Sequence, residues 1–176
     1  FYILFNPSGF SWLLNIGGTD LRYTPVVRSF CIISKTGEVL IFTKNHMLKK
    51  FFSKNKQIKI YKLDDFSNLS LNFNNKKFLI DPNILPLKIF DILKKNDLSY
   101  QFINCPVDKF KAIKNPLELS GFKNAHLKDG LAILKFLFWF EKNVNSNTLT
   151  EICLSQKLFD IRSQDKTFIC ESFATI

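Results

Sequence analysis

Short strand-like runs alternate with helix-like segments over the first two-thirds of the chain, and this alternation limits the possible folds more than any other feature. Residues 30–34 and 39–43 are apolar runs separated by Lys35-Thr36-Gly37-Glu38, which predicts a hairpin with glycine in its turn. Strands interleaved with helices predict a layered α/β domain, with a mixed sheet flanked by helices. Further strands are predicted at 2–5, 58–62, 77–81 and 100–104, helices at 47–52 and 85–95, and a short helix or turn after Asp64-Asp65.

Residues 6–9 (Asn-Pro-Ser-Gly) form a cluster that is typical of a turn. The pattern changes at Ala112, where Asn115 can cap a helix, Pro116 suits its first position and Glu118 completes a capping box. That helix should run to about Asn143, and its second half is apolar nearly all round, so other structure should cover it. The capping pattern of residues 148–151 predicts a second helix to about residue 162, and residues 167–170 should begin a strand.

The formal charge of +10 raises the question of a nucleic-acid or membrane partner. Arginine, the usual bidentate reader of phosphate, occurs only at Arg22, Arg28 and Arg162, and the lysines are spread along the chain. We therefore expect neither nucleic acid nor membrane as a partner. The longest apolar run, residues 131–140, contains Lys135 and is shorter than the ~20 residues of a membrane span.

Four cysteines, at positions 31, 105, 153 and 170, form no CxxC pair. Each lies beside apolar residues, which favours buried thiols in a reducing compartment and a cytoplasmic protein. Of the two histidines, His46 should lie on the surface at a helix start, and His126 is spaced to pair with Asp129 on one helical face. Neither belongs to an HExxH motif, so no metal ligand and no catalytic residue is predicted in this chain.

Three stretches carry a resemblance to a known family. Residues 11–20 (Ser-Trp-Leu-Leu-Asn-Ile-Gly-Gly-Thr-Asp) precede Pro25-Val26, and residues 111–116 (Lys-Ala-Ile-Lys-Asn-Pro) precede Ala125-His126 and Asp129-Gly130. Residues 172–176 (Ser-Phe-Ala-Thr-Ile) follow them. In order and spacing these resemble the long, three-domain, cytosolic type of aminopeptidase P, a creatinase/prolidase-like metallopeptidase with a pita-bread catalytic domain.

The resemblance implies removal of an N-terminal residue that precedes proline, with two divalent metals, usually manganese. It implies that residues 1–110 form a creatinase/prolidase N-terminal-like α/β domain. Residues 111–176 would supply the first two helices and first strand of an incomplete pita-bread domain. The family's metal ligands follow the matching passage, so we expect a fragment that is inactive alone and contains no metal site. A peptide substrate is expected only for the complete enzyme. The alternative is a non-catalytic interaction module that pairs with itself, as a homo-oligomer, or with a separately encoded catalytic half.

Asp20, Arg22 and Tyr23 are the candidate substrate-cleft residues, because the resemblance implies that their loop faces the catalytic cleft. Asp20 could orient a loop or a substrate amine, or it could only cap a turn. Gly17 stands where relatives commonly carry arginine, and Cys170-Glu171 replaces a usual Gly-Leu pair. Arg28 is predicted within a core strand, where a charge is costly unless it is paired.

Overall fold

The computed structural model describes residues 1–69, 73, 75–145 and 149–174. The chain divides into two compact units, Phe1–Ala112 and Ile113–Ile176. We refer to them as unit 1 and unit 2. No helix in the described part of the chain is long and apolar enough to cross a bilayer.

Unit 1 contains a six-stranded mixed sheet, which confirms the predicted fold class. Its order is β4-β3-β2-β1-β5-β6; β2 runs antiparallel to β1 and β3, and the remaining pairings are parallel. The predicted hairpin is the antiparallel β2–β3 pair, with Gly37 at φ 87° in its turn. The strands are β1 (Tyr2–Leu4), β2 (Ser29–Ile33), β3 (Val39–Thr43), β4 (Ile58–Lys62), β5 (Lys77–Ile80) and β6 (Ser99–Phe102).

Five α-helices accompany the sheet in the described part of unit 1. Two of them, α1 and α5, lie where the sequence analysis placed no helix. Asn6 caps α1 by accepting a hydrogen bond from the Ser8 amide, so the segment predicted as a turn is in fact a helix start. The helices are α1 (Pro7–Leu13), α2 (Met47–Phe51), α3 (Phe66–Leu69), α4 (Leu87–Lys95) and α5 (Pro106–Ala112).

Two apolar cores lie in unit 1, because successive strand residues point to opposite faces of a sheet. Ile3 belongs to one core and Leu4 to the other, and Ile32 and Cys31 are divided in the same way. The first core also contains a group of stacked and edge-on aromatic rings around Phe30. Burial on both faces fixes the register of the central strands, since a slip of one residue would exchange the two sets.

The described residues of unit 2 form two helices, α6 (Pro116–Asn143) and α7 (Glu151–Ser163), which pack against each other. The predicted capping box of α6 is confirmed: the Asn115 side chain accepts from the Glu118 amide, and the Glu118 carboxylate accepts from the Asn115 amide. Thr150 caps α7, whereas the predicted cap, Thr148, lies outside the described residues. The predicted strand at 167–170 is not formed: residue 167 lies in a turn, and 168–170 have no regular structure.

The described part of the chain leaves most of α6 exposed, so the expectation that other structure covers this helix stays a prediction. Ala132 is the one buried residue of α6. Leu127 is 74% exposed and Leu134 is 65% exposed. This apolar surface, which we call the α6 face, comprises Leu117, Leu119, Phe122, Leu127, Leu131, Ile133, Leu134, Leu137 and Phe138.

Candidate functional site

The loop between α1 and β2 contains the three candidate cleft residues. In its first part, the backbone of Gly18 packs against Val26 and Val27, which lie just before β2. A Cβ built on Gly18 would lie 2.7 Å from Val27 Cγ2 and 2.9 Å from the Val26 carbonyl oxygen, closer than real side chains approach. Ser11, which is buried on α1, accepts a hydrogen bond from the Val27 amide through its hydroxyl oxygen at 3.1 Å. The base of the loop is therefore fixed by close packing.

The tip of the loop is a tight turn from Leu21 to Thr24. The Thr24 amide donates to the Leu21 carbonyl at 3.4 Å, and Tyr23 occupies the third position with φ 64°. That left-handed conformation is normally taken by glycine or asparagine and is unusual for a bulky aromatic residue. The Arg22 guanidinium carbon lies 4.8 Å from the Tyr23 ring centroid, which is within cation–π distance. The turn thus holds Arg22 and Tyr23 together.

Asp20 makes a local contact in this structure. Its Oδ2 accepts a hydrogen bond from the Arg28 amide at 2.9 Å, which joins the two ends of the loop. Arg28 is exposed and precedes β2, so its prediction as a charged residue in a core strand is wrong. Because a carboxylate has two acceptor oxygens, the loop contact of Asp20 leaves Oδ1 able to accept another donor.

A groove of about 580 Å³ opens beside this loop on unit 1. Leu48 is buried within it, while Met47 and Phe51 are 57% and 67% exposed. Sequence reasoning missed this groove, because no single motif marks it. The residues that line it are Asn15, Ile16, Gly17, Val27, Asn45, Met47, Leu48, Lys50 and Phe51.

A polar cluster that the sequence analysis also missed lies beyond the carboxyl ends of β5 and β6, near the side chain of Tyr2 on β1. The buried Asp81 carboxylate accepts from the Asn83 amide at 2.9 Å and from the Cys105 amide at 2.7 Å. The phenolic oxygen of Tyr2 is buried and makes no well-formed hydrogen bond with the described residues. Burial, followed by the nearby Cys105 thiol, raises the pKa of Tyr2 above its usual range. The bonds of Asp81 connect the strand ends and indicate a structural role.

Among the described residues, no three His, Cys, Asp or Glu side chains are grouped so that they could hold a metal ion. His46 is exposed before α2, as predicted. Asp129 pairs with Arg162 on α7 instead of His126. Its carboxylate accepts two hydrogen bonds from the guanidinium, with Nε–Oδ1 at 2.7 Å and Nη2–Oδ2 at 3.2 Å. The prediction of a local His126–Asp129 pair is therefore wrong.

The prediction of buried thiols is half correct. Cys31 and Cys105 are buried, whereas Cys153 and Cys170 are exposed, and all four are free. Burial raises the pKa of Cys31 to about 12. The Thr150 hydroxyl, which donates to Cys153 Sγ at 3.2 Å, lowers the pKa of the Cys153 thiol. Cys153 on α7 thus differs from the core thiol Cys31 in both exposure and acidity.

The mixed sheet, the helices and the loop arrangement define an α/β domain of a recognised class. Residues 1–118 match the creatinase/prolidase N-terminal domain, and the chain belongs to this family. It is similar in fold to an Xaa-Pro dipeptidase from Bacillus anthracis, with a TM-score of 0.68 at 18% identity, over 94% of this chain and 45% of that one. It also resembles an X-Pro aminopeptidase from Thermotoga maritima, with a TM-score of 0.62 at 15% identity, over 93% and 44%.

The curated proteins that this chain is similar to in sequence include Xaa-Pro aminopeptidases. The chain is 30% identical over 176 residues to a probable Xaa-Pro aminopeptidase P from Laccaria bicolor, covering 94% of this chain and 27% of the relative. It is 29% identical over 175 residues to Xaa-Pro aminopeptidase 1 from Dictyostelium discoideum, with the same coverage of 94% and 27%. The chain therefore spans little more than a quarter of the length of these relatives.

Proposed function

We propose that this chain is the part of a metal-dependent Xaa-Pro aminopeptidase that precedes the metal-binding residues, and that it does not hydrolyse peptides alone. One observation carries the proposal: the chain aligns over 94% of its length with proteins named Xaa-Pro aminopeptidase P. In this proposal residues 1–110 act as the α/β domain, and residues 111–176 begin the catalytic domain. The protein would work in the cytoplasm, where its four free thiols stay reduced.

The side chains present do not fit a two-metal site. Such a site needs several carboxylates and an imidazole that converge on one point. The described residues contain no such group. We therefore assign no catalytic step to this chain, and the two divalent metals, manganese in the proposal, belong to the complete enzyme.

The test is a peptidase assay of the purified chain with manganese and a peptide that has proline at its second position. We expect no release of the first residue, because the described residues contain no group of ligands that could hold a metal and activate a water. The Dictyostelium relative, assayed in parallel, controls for the metal and the substrate. Cleavage that elutes together with the chain on size exclusion, and that disappears with a chelator, would contradict the proposal.

We further propose that Asp20, Arg22 and Tyr23 shape the substrate cleft of the complete enzyme. Two features support this role: the strained backbone of Tyr23, and the second acceptor oxygen of the Asp20 carboxylate. A chimera tests it, in which this chain replaces the matching segment of the Laccaria relative. Changing Arg22→Ala or Tyr23→Gly should raise KM with a smaller effect on kcat, because the residues bind substrate away from the reacting bond.

The matched control for the chimera is Lys35→Ala, which alters an exposed residue in another turn of the same unit. We expect kinetic constants like those of the parent chimera. If Arg22→Ala, Tyr23→Gly and Lys35→Ala all leave KM unchanged in a folded chimera, the cleft role is refuted. The peptidase assay is independent of this result, since it uses the chain without a catalytic half.

The second candidate is a non-catalytic interaction module that pairs with itself or with a catalytic half. The α6 face favours it, because a large exposed apolar patch commonly marks a contact surface. Sedimentation velocity over a range of concentrations should show self-association that Leu134→Lys abolishes. The control is Leu87→Lys, which alters a similarly exposed leucine on α4 of unit 1. A monomer at every concentration would count against self-pairing.

A further inference from the structure

The segment around α2 concentrates positive charge without acidic compensation. Residues 44–57 contain no Asp or Glu, but they contain His46 and five lysines. All five lysines are exposed, and among the described residues none of them forms an ion pair. These lysines are Lys44, Lys49, Lys50, Lys54 and Lys56. Like charges so close together repel one another unless a negatively charged partner is bound.

The residues next to these lysines include exposed apolar side chains. Met47 and Phe51 are more than half exposed and line the groove of about 580 Å³, and Lys50 lies at the same lining. Phe51 contacts Phe52 edge-on, with ring centroids 4.9 Å apart. Asn15 and Asn45 also line the groove. Exposed apolar side chains around a concave surface, beside unpaired charge, are typical of a docking site.

We propose that this surface, the α2 groove, binds an acidic peptide segment of a partner protein whose apolar side chain enters between Met47 and Phe51. The charge complementarity comes from the five unpaired lysines, and the concave apolar lining provides room for one anchor residue. The absence of arginine from residues 44–57 disfavours nucleic acid, because the planar arginine fork is the preferred side chain for bidentate contacts with phosphates and bases. A concave lining disfavours a bilayer, because membrane-binding surfaces present their apolar residues outward.

Fluorescence anisotropy of the full chain tests the proposal with a defined probe. The probe is a short fluorescein-labelled peptide in which glutamates surround one central leucine, and the control peptide has serine in place of that leucine. We expect binding of the leucine peptide that weakens as salt is raised, because the exposed charges are screened. The serine peptide should bind about tenfold more weakly, since it lacks the anchor.

Charge reversal provides a matched pair of variants. Lys49→Glu/Lys50→Glu changes the last turn of α2, and Lys94→Glu/Lys95→Glu makes the same change in the last turn of α4. Both pairs are exposed, so the change in net charge and in the interaction with the helix dipole is alike. The α4 pair also loses the contact of Lys94 with the Phe90 ring, which lies outside the groove. The α2 pair should weaken peptide binding about tenfold and the α4 pair less than about twofold. Phe51→Ser should weaken binding with little change in its salt dependence.

Three outcomes would overturn the proposal. If the α2 and α4 double variants weakened peptide binding equally, the binding would depend on the net charge of the chain and not on the α2 groove. Equal affinity for the leucine and serine peptides would show that no apolar side chain of the peptide binds between Met47 and Phe51. Retention of duplex DNA or of phosphatidylserine vesicles, by a chain that does not bind the peptide, would assign the groove to a different class of partner. Circular dichroism of each variant confirms that the fold is intact before binding is compared.

Discussion

Gly17 and Gly18 are neighbours in the sequence, but the space around them differs. A Cβ on Gly18 would meet Val27 Cγ2 at 2.7 Å, whereas a Cβ on Gly17 would lie 3.7 Å from the Pro25 carbonyl oxygen. Gly18→Ala should therefore destabilise the chain by ~1–3 kcal/mol, the usual cost of overpacking. Gly17→Ala is the control and should change stability little. Urea unfolding followed by fluorescence measures both, and equal midpoints would contradict the close approach at Gly18.

The four thiols should react at different rates with iodoacetamide. Cys153 should react first, because it is exposed and the Thr150 hydroxyl lowers its pKa. Cys31 should react last, because burial both shields it and raises its pKa to about 12. Thr150→Val removes the donated hydrogen bond and should slow the alkylation of Cys153 at neutral pH. Mass spectrometry of tryptic peptides follows each site. If Thr150→Val left the alkylation rate of Cys153 unchanged, the Thr150 hydroxyl would not be the cause of its reactivity.

At the residue scale, sequence alone could not distinguish several local environments. Cys31 and Cys153 both lie beside apolar residues, yet only the first is enclosed by a sheet. Arg28 follows an apolar pair in the sequence, but the chain places its side chain outward just before β2. Asp129 has a histidine three residues away and still pairs with Arg162 on the next helix. Burial and long-range pairing depend on tertiary contacts that a local pattern does not encode.

At the element scale, the strands were predictable because their alternation and their turn residues agree. The hairpin of β2 and β3 has both signals, and the prediction matches its pairing. Helices α1 and α5 were missed, since Asn6-Pro7 and Cys105-Pro106 are equally typical of turns and of helix starts. The strand predicted at 167–170 is absent from the described chain, where no neighbouring strand offers its backbone a partner.

The end of α7 is held to α6 by an ion pair that should respond to acid. Lys128 Nζ contacts the Asp165 carboxylate at 3.1 Å, and the Thr167 hydroxyl and amide donate to Asp165 Oδ1. Hydrogen bonds from Thr167, followed by Lys128, lower the pKa of Asp165 from 3.8 to about 2. The ionised carboxylate therefore stabilises the folded state above about pH 4, and this stabilisation is lost as the pH falls through about 2.

Asp165→Asn should consequently make the stability of the helix pair less dependent on pH between about 4 and 2. Acid titration of helicity by circular dichroism measures this dependence. Glu141→Gln removes an exposed carboxylate from the same unit and is the control, with the pH dependence of the parent chain expected. An acid transition that Asp165→Asn leaves unaltered would show that the bonds seen at Asp165 do not contribute to folding.

At the scale of the whole molecule, the two units differ in how much apolar surface each one encloses. Unit 1 has two buried clusters around its sheet, whereas Ala132 is the only buried residue in the described part of unit 2. Free energies of local opening follow the buried contacts of a segment, so the helices of unit 2 should open more readily than the central strands of unit 1. We therefore propose that unit 1 can fold as a domain by itself, whereas unit 2 needs further structure that covers its exposed apolar side chains.

Native-state hydrogen exchange read by mass spectrometry should therefore show slow exchange in β2 and β3 and fast exchange in α6 and α7. Repeating the measurement at several protein concentrations separates two causes of any protection in α6. Protection that increases with concentration would mean that a second copy covers the α6 face, because association adds stability by mass action. Protection in α6 equal to that of β2 at every concentration would contradict the low burial of unit 2, since nothing within the described chain encloses that helix.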